Sequence, residues 1–171
     1  MRVISNELFI EAAKNATIRV VDGRAYISSS SVVHLRWNDK VDYVVLARLL
    51  FKTITAKEQI LFFHEWGIWS SSENTYLFNL VAKTLFNEDI THPAEKYFQF
   101  SAEDGDAAQT LLQIGLQSGW GGLLFGEDNN WLYFDHGGFG MIASTAKVAE
   151  ILGPMDGLTI LPSDFRQTSQ P

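Results

Sequence analysis

The chain has 171 residues, of which 46% are hydrophobic and 19% are charged, and it contains 12 Phe, 5 Trp and 5 Tyr. This composition excludes an intrinsically disordered protein and predicts a globular one. The absence of cysteine excludes disulfide scaffolds, thiolate zinc sites, iron–sulfur clusters and cysteine nucleophiles. We expect a single domain over residues 1–165, followed by a loose C-terminal tail at 166–171.

The net charge of −7 is distributed unevenly along the chain. Residues 1–86 hold 10 Lys/Arg and 8 Asp/Glu, whereas residues 87–171 hold 3 Lys/Arg and 12 Asp/Glu. Because nucleic-acid affinity comes mainly from Lys and Arg at phosphates, the acidic half predicts no nucleic-acid partner and favours a basic protein partner. The alternative is a solvated surface that keeps the protein soluble.

No targeting or membrane-spanning segment is visible in the sequence. The first 15 residues contain Glu7 and Glu11 and lack an apolar block long enough for a secretion signal. The longest apolar stretches are short, whereas a bilayer span needs about 20 predominantly apolar residues. We therefore expect a cytoplasmic protein with no membrane partner.

The N-terminal pattern predicts a helix followed by a β-hairpin. Ser5 can cap a helix over about residues 6–15. Two β-branched segments, 17–21 and 24–28, are joined through Asp22-Gly23, a dipeptide that is typical of a tight hairpin turn.

The middle of the chain alternates helical and extended patterns. Asp39 is expected to open a largely buried helix that ends near Lys52, and the apolar run at 59–64 predicts a central strand. A helix over about 71–86 should follow. The second half of this region predicts a strand that ends at Ser101, a helix over about 102–117 that is capped by Ser101 and Asp104, and a helix exit at Gly119.

The C-terminal third predicts an antiparallel meander. Three short apolar segments, 122–126, 131–135 and 139–143, are separated by turn sequences. A short helix at 145–152 and an edge strand at 158–161 should complete the fold. Because helices and strands mix without a βαβ rhythm, we predict the α+β class, with a mainly antiparallel sheet and helices packed on one face.

The sequence lacks the recognisable motifs of catalysis and cofactor binding. Two histidines neighbour carboxylates, in His64-Glu65 and Asp135-His136, but adjacent side chains of a strand point to opposite faces. Neither pair can share a metal without a turn or bulge at that point. No G-x-S-x-G, phosphate-loop or dinucleotide-binding pattern occurs. We expect no metal, no cofactor and no catalytic residue.

Tryptophan density is the clearest anomaly of the composition. Each Trp fits either an apolar core or the aromatic lining of a binding surface. Trp66 and Trp69 are the preferred surface residues because a predicted turn follows them. The predicted binding residues are Trp66, Trp69, Trp120, Asp128, Asp135 and His136.

The segment WGIWSSSEN at 66–74, with SGWGG and DHGG further along, resembles a group of small uncharacterised bacterial proteins. That group has a W-G-x-W-x-S-S-E-N motif and a later G-W…S-H-D-E motif. In this chain Ser70 stands where proline is common, and Asp135-His136-Gly137-Gly138 stands in place of S-H-D-E. The resemblance covers about 62–142, and it implies a bacterial, cytosolic α+β domain without implying a reaction.

Ser70 and Glu73 have the spacing of a capping box, which predicts a helix start at Ser70. The competing interpretation makes Glu73 a site residue. The predicted helix should lay one stripe of side chains on the sheet and leave Asn79 and Lys83 nearer solvent. That stripe consists of Leu77, Leu80, Val81, Thr84 and Leu85.

Three functional hypotheses follow from these observations. The leading one is a non-enzymatic, acidic interaction protein that neutralises a basic partner such as a toxin or nuclease. The second is a small enzyme or ligand-binding protein with an aromatic pocket near Trp66, Glu65 and His136. The third is a homo-oligomer whose Trp residues lie at the self-interface.

Overall fold

The fold is known from a computed structural model. The structure describes nine ranges of the chain. Within these ranges it does not describe the side chains at 20, 21, 24–27, 65, 72–75 and 77. The described ranges are 1–16, 18–21, 24–27, 32–54, 56–65, 72–86, 97–126, 130–144 and 147–161.

Helices and strands alternate irregularly along these ranges, which is the α+β class that the sequence predicts. The helices are α1 (Asn6–Asn15), α2 (Tyr43–Thr53), α3 (Ser72–Phe86), α4 (Gly105–Gln117) and α5 (Val148–Leu152). The strands are β1 (Arg2–Ile4), β2 (Ile18–Val21), β3 (Arg24–Ile27), β4 (Val33–Trp37), β5 (Glu58–Glu65), β6 (Tyr97–Ser101), β7 (Gly121–Phe125), β8 (Trp131–Phe134), β9 (Phe139–Ala143) and β10 (Leu158–Ile160).

Within the described ranges, eight strands form one antiparallel sheet in the order β1-β6-β5-β7-β8-β9-β4-β10. The predicted C-terminal meander is confirmed as β7-β8-β9, and β10 is confirmed as an edge strand. The predicted hairpin is confirmed as β2-β3, although its turn lies outside the description. The sequence analysis does not predict β1 or β4. In the sheet, β4 lies between β9 and β10.

Helix α1 has the predicted boundaries and the predicted cap, because Ser5 Oγ accepts from Leu8 N at 3.4 Å. Helix α2 begins later than expected. Asp42, rather than Asp39, caps it, since one carboxylate oxygen of Asp42 accepts from Val44 N at 2.9 Å and from Val45 N at 3.1 Å.

The predicted capping box of Ser101 and Asp104 is present, although α4 itself begins later, at Gly105, and has no side-chain cap. Asp104 Oδ2 accepts from Ser101 N at 2.9 Å and from Ser101 Oγ at 2.7 Å. A short 3₁₀ turn at Ala102–Asp104 leads into the helix, which exits at Gly119 with φ of 66°. One face of α4 is buried against the sheet and α2.

The orientation predicted for α3 is only partly correct, because Val81 and Leu85 pack against the larger apolar cluster as expected but the centre of the buried stripe differs. Phe78 and Ala82 are fully buried, whereas Leu80 is 53% exposed and Thr84 is exposed. Lys83 is exposed, as predicted, but Asn79 is half-buried. The helix is therefore rotated so that Phe78, rather than Leu80, faces the sheet. The proposed cap at Ser70 lies outside the described ranges.

The sheet carries apolar side chains on both faces. Helices α2 to α5 cover one face, where Leu61, Phe63 and Leu124 belong to the larger apolar cluster. Helix α1 covers part of the other face, and its Phe9 contacts Phe62 and belongs to a second cluster. The expectation of helices on one face thus holds for α2 to α5 and fails for α1. Among the residues described, no helix combines the length and apolarity needed to cross a bilayer.

Candidate functional site

A cleft of about 220 Å³ lies at one end of the sheet, where three separate connections meet. The connections are the β4–α2 loop, the C-terminal end of α4 and the β8–β9 turn. The register of the sheet brings two of these connections together. Arg36 near the end of β4 pairs with Phe139 at the start of β9, and Trp37, the last residue of β4, pairs with Leu158. The lining residues are Trp37, Asn38, Asp39, Tyr43, Leu116, Gln117, Gly119, Asp135, His136, Gly137 and Gly138.

Asp135 organises the β8–β9 turn. Its Oδ1 accepts from Gly137 N at 2.8 Å and from Phe139 N at 3.1 Å, while its own N donates to Phe139 O at 3.0 Å. A carboxylate that accepts backbone N–H groups in this way closes a tight turn. The half-buried Asp135 therefore has a structural role, and it holds one carboxylate at the wall of the cleft.

Gly138 fastens this turn to β4. Trp37 N donates to Gly138 O at 2.7 Å, and Gly138 has φ of +69°. A Cβ at this position would lie 2.4 Å from Trp37 O. Glycine is therefore required here by both backbone conformation and space, and the contact sets the distance between two walls of the cleft.

Two helix ends border the cleft. The C-terminal end of α4 contributes Leu116, Gln117 and Gly119, and the last turn of this 13-residue helix contains no basic residue. A helix C-terminus carries a partial negative charge that favours cations. The N-terminal end of α2 contributes Tyr43, but its partial positive charge faces the capping carboxylate of Asp42.

The charges of the cleft are predominantly acidic. Asp39 is exposed and Asp135 is half-buried, and the eleven lining residues include neither Lys nor Arg. His136 is exposed at the tip of the turn. Trp37 is only 6% exposed and belongs to the larger apolar cluster, and the half-buried Tyr43 packs against the same cluster. The exposed part of the wall is therefore mainly polar, and its carboxylates can accept charge-assisted hydrogen bonds from a cationic side chain.

The structure brings together two of the residues predicted from sequence, Asp135 and His136. Trp120 does not join them as a surface residue: it is only 4% exposed and its ring packs against Phe63 and Phe78, with centroids 5.4 and 5.3 Å away. Its assignment to a binding surface is therefore corrected to the apolar core. The other predicted binding residues, Trp66, Trp69 and Asp128, lie outside the described ranges.

The sequence reading missed Trp37, Asp39 and Tyr43 as residues of the cleft. No local signal marks them, because the β4–α2 loop reaches the β8–β9 turn only through the pairing of β4 with β9. That pairing joins positions more than 100 residues apart in the chain.

His64 lies where the β5–β7 register shifts, between Phe63 and Glu65. An irregularity of this kind in a ladder bends the strand locally. The His64 ring centroid lies 5.4 Å from that of Tyr133, and the backbone of Glu65 pairs with Gly121 at the cleft end of the sheet.

No protein-family model, curated protein or solved structure matches this chain. The site must therefore be interpreted from its own chemistry. Among the parts of the chain that the structure describes, no group of three or more His, Asp or Glu side chains is arranged to hold a metal ion.

Proposed function

We propose that this protein is a non-enzymatic interaction domain that binds a basic protein partner, such as a toxin or nuclease, through the acidic cleft. The observation that carries the proposal is the composition of the cleft wall. Two carboxylates and the C-terminal end of α4, whose last turn contains no basic residue, border a concave surface whose lining contains no Lys or Arg. A cationic side chain of a partner would be attracted by each of these groups.

The charge distribution of the whole chain supports the same partner class. The half of the sequence that supplies α4 and the β8–β9 turn holds 12 Asp/Glu against 3 Lys/Arg. A field of one sign accelerates the encounter with an oppositely charged protein and makes binding sensitive to salt. A basic toxin or nuclease has the required complementary charge.

Parallel affinity purification from the native host tests this function. The bait proteins are the wild type, an Asp39→Asn/Asp135→Asn double variant, and a Glu103→Gln/Asp106→Asn control. The control removes two exposed carboxylates at the opposite end of α4, so both variants lose the same net charge. Asn at 135 retains an oxygen that can accept from the turn amides, which preserves the fold of the cleft.

The expected result is a cationic protein that is retained by the wild type and the control and lost from the Asp39/Asp135 variant. In a titration with that purified protein, the cleft variant should bind at least about fivefold more weakly, which corresponds to about 1 kcal/mol. Added salt should weaken binding because the Debye length is about 8 Å at physiological ionic strength. Equal retention by all three baits, or retention of no cationic protein, contradicts the proposal.

A second candidate function is a small enzyme or ligand-binding protein with a pocket near Trp66, Glu65 and His136. The observation that favours it is the register shift at His64, which is accompanied by the pairing of Glu65 with Gly121 at the cleft end of the sheet. A His64→Gln variant that retains its fold and partner binding but loses turnover of a small molecule would favour this candidate over the first.

A further inference from the structure

We propose that a groove beside α1 is a binding site for a zwitterionic α-amino acid with an apolar side chain. The groove has two adjacent parts of about 180 and 160 Å³, and both parts are lined by Ala12, Asn15, Ile60 and Gln99. This α1 groove shares no residue with the acidic cleft. The inference therefore goes beyond the proposed function and does not depend on it.

The floor of the α1 groove follows one row of side chains across four strands. Arg2 on the edge strand β1 pairs with Gln99 on β6, Gln99 pairs with Ile60 on β5, and Ile60 pairs with Phe125 on β7. Directly paired residues of neighbouring strands project from the same face of a sheet. The row therefore begins with an arginine at the sheet edge and ends with two buried apolar side chains.

One stripe of α1 forms the wall above this floor. Leu8, Glu11, Ala12 and Asn15 line the groove, and they have the i, i+3, i+4, i+7 spacing of a single helix face. The stripe is about 10 Å long. Leu8 is 48% exposed and Ala12 is half-buried, so the wall offers accessible apolar surface. The short side chain of Ala12 leaves space between its neighbours for a ligand.

Hydrogen bonds orient two opposite charges at the floor. Arg2 Nε donates to Gln99 Oε1 at 2.7 Å, and Gln99 Nε2 donates to Glu58 Oε2 at 2.6 Å. These two bonds and one amide group place the guanidinium and the carboxylate within about 8 Å of each other. Within the described ranges, neither the Nη groups of Arg2 nor Glu58 Oε1 has a hydrogen-bond partner.

This pair of charges is complementary to a zwitterion. The guanidinium can donate two N–H groups to a carboxylate, and Glu58 can accept from an ammonium group. An α-amino acid carries both groups on one carbon, and a hydrogen bond of about 2.8 Å at each end lets it span about 8 Å. Its apolar side chain would then contact Leu8 and Ala12.

The size and charge of the groove disfavour other small ligands. The combined volume lies near the lower end of the range for ligand pockets, about 300 Å³, which suits a small organic molecule. A simple carboxylate would leave Glu58 unpaired and would also face Glu11 on the wall. A simple amine would leave the Nη groups of Arg2 unpaired and would be repelled by them.

The experiment compares four probes with the whole chain at about pH 6, where α-amino groups are protonated. They are L-leucine, L-leucinamide, which lacks the carboxylate, 4-methylpentanoate, which lacks the ammonium group, and glycine, which lacks the apolar side chain. Each is titrated into ¹⁵N-labelled protein, and the backbone amide signals of Ala12, Gln99 and Gly126 are followed. L-leucine should shift these signals saturably, with a Kd about fivefold or more below that of each other probe.

Variants assign each charge of the ligand to its partner. Arg2→Gln should weaken L-leucine binding about fivefold or more and leave L-leucinamide binding unchanged. Glu58→Gln should weaken L-leucine binding to the same extent and leave 4-methylpentanoate binding unchanged. The matched controls, Arg48→Gln and Glu103→Gln, change exposed residues that do not line the groove and should bind L-leucine as the wild type does.

Ala12→Leu fills the groove from the wall and should abolish the saturable shifts of Gln99 and Gly126. If this variant does not fold, the exposed positions Arg2 and Glu58 still decide the question. The proposal is overturned by equal Kd values for L-leucine and its two analogues, by L-leucine binding that is unchanged in Arg2→Gln and Glu58→Gln, or by the absence of saturable L-leucine binding. The proposed function fails separately, when the Asp39/Asp135 variant retains its cationic protein.

Discussion

The wall of the cleft requires glycine at position 138. Its φ of +69° is unfavourable for an L-residue, and a Cβ would collide with Trp37 O at 2.4 Å. Gly137, its neighbour in the same turn, lacks a positive φ, and the nearest atom to a Cβ there is Asp135 Oδ1 at 3.3 Å. The two glycines therefore form a matched pair: a Cβ at 138 meets both a positive φ and a backbone clash, whereas a Cβ at 137 meets only a tight contact with a side-chain oxygen.

We expect Gly138→Ala to lower the free energy of unfolding by about 2 kcal/mol or more, because the left-handed conformation alone costs about 1–2 kcal/mol. Gly137→Ala should change it by less than about 1 kcal/mol. Urea unfolding of both variants measures the difference. If the two substitutions cost the same, the close contact between the β8–β9 turn and β4 does not exist in solution.

Asp104 makes a residue-level prediction about pH. A hydrogen bond from the α-amino nitrogen of Met1, at 2.6 Å, and two from Ser101 lower the pKa of this carboxyl from its ordinary value of 3.8 to about 2. A pKa that is lower in the folded state stabilises the fold above about pH 4, and this contribution is lost as the pH falls through about 2. The carboxylate is partly exposed, so solvent screens part of the effect.

The stability difference between the wild type and Asp104→Asn should therefore be largest near pH 5 and shrink toward pH 2. Asp106→Asn, which removes a carboxylate from the first turn of the same helix, controls for the general effect of charge at a helix N-terminus. Urea titrations at several pH values give the comparison, with mass spectrometry to establish that Met1 is retained. A difference that stays constant from pH 5 to pH 2 contradicts the lowered pKa.

At the scale of single elements, α3 shows where a sequence pattern is ambiguous. The helix contains two overlapping apolar stripes, and the sequence analysis predicts that the one through Leu80 is buried. The structure buries Phe78, whose ring contacts Phe63, Phe98 and Trp120 with centroids within 6 Å. Periodicity gives the existence of an amphipathic helix, but the aromatic partners that decide its rotation come from distant strands.

Two substitutions on α3 distinguish these orientations. Phe78→Ala should cost about 3–5 kcal/mol because it leaves a cavity in the apolar core. Leu80→Ala should cost less than about 1 kcal/mol because Leu80 is 53% exposed. Denaturant unfolding gives both values, and thermal unfolding of Phe78→Leu serves if Phe78→Ala does not fold. The reverse ranking would support the stripe chosen from sequence.

Local signals predicted most elements and few of the long-range pairings. The caps at Ser5 and Ser101 and the meander follow from residues close together in the chain, and the structure confirms them. Strand β4 alternates buried Leu35 and Trp37 with exposed Arg36, which is the local pattern of a half-buried strand. Its position between β9 and β10 carries no local signal.

The candidate site was less predictable than the fold for the same reason. Asp135 and His136 are adjacent in the sequence, and their turn could be recognised. Asp39 and Tyr43 join them only when β4 pairs with β9. The sequence pattern also predicts a helix start at Asp39, whereas Asp42 caps the helix and Asp39 lies in the loop beside the cleft.

At the scale of the whole molecule, both apolar clusters depend on the same strands. Strand β5 directs Leu61 and Phe63 into the cluster under α2 to α5, and Ile60 and Phe62 into the cluster under α1. Alternate residues of a strand face opposite sides of its sheet, so β5 belongs to both clusters at once. The sheet therefore couples the two layers, which is the physical basis for expecting one cooperative folding unit.

Substitution of Phe9 on α1 tests whether the two apolar clusters unfold together. Its ring stacks on Tyr97 at a centroid distance of 4.1 Å and also contacts Phe62 and Phe125. Phe9→Ala should cost about 3–5 kcal/mol and should move the urea midpoints from circular dichroism and from tryptophan fluorescence by the same amount. Leu8→Ala, on the same helix at a residue that is 48% exposed, should leave both midpoints nearly unchanged.

Two separate transitions in Phe9→Ala, with the fluorescence midpoint unmoved, would show that α1 unfolds without the rest of the sheet. A milder variant, Phe9→Leu, keeps the comparison usable if Phe9→Ala is unfolded in buffer. Coincident shifts mean instead that loss of the α1 contacts is transmitted through β5 to the cluster on the opposite face. The cleft at the end of the sheet would then be held by the stability of the entire fold, because its walls are attached to strands that both clusters share.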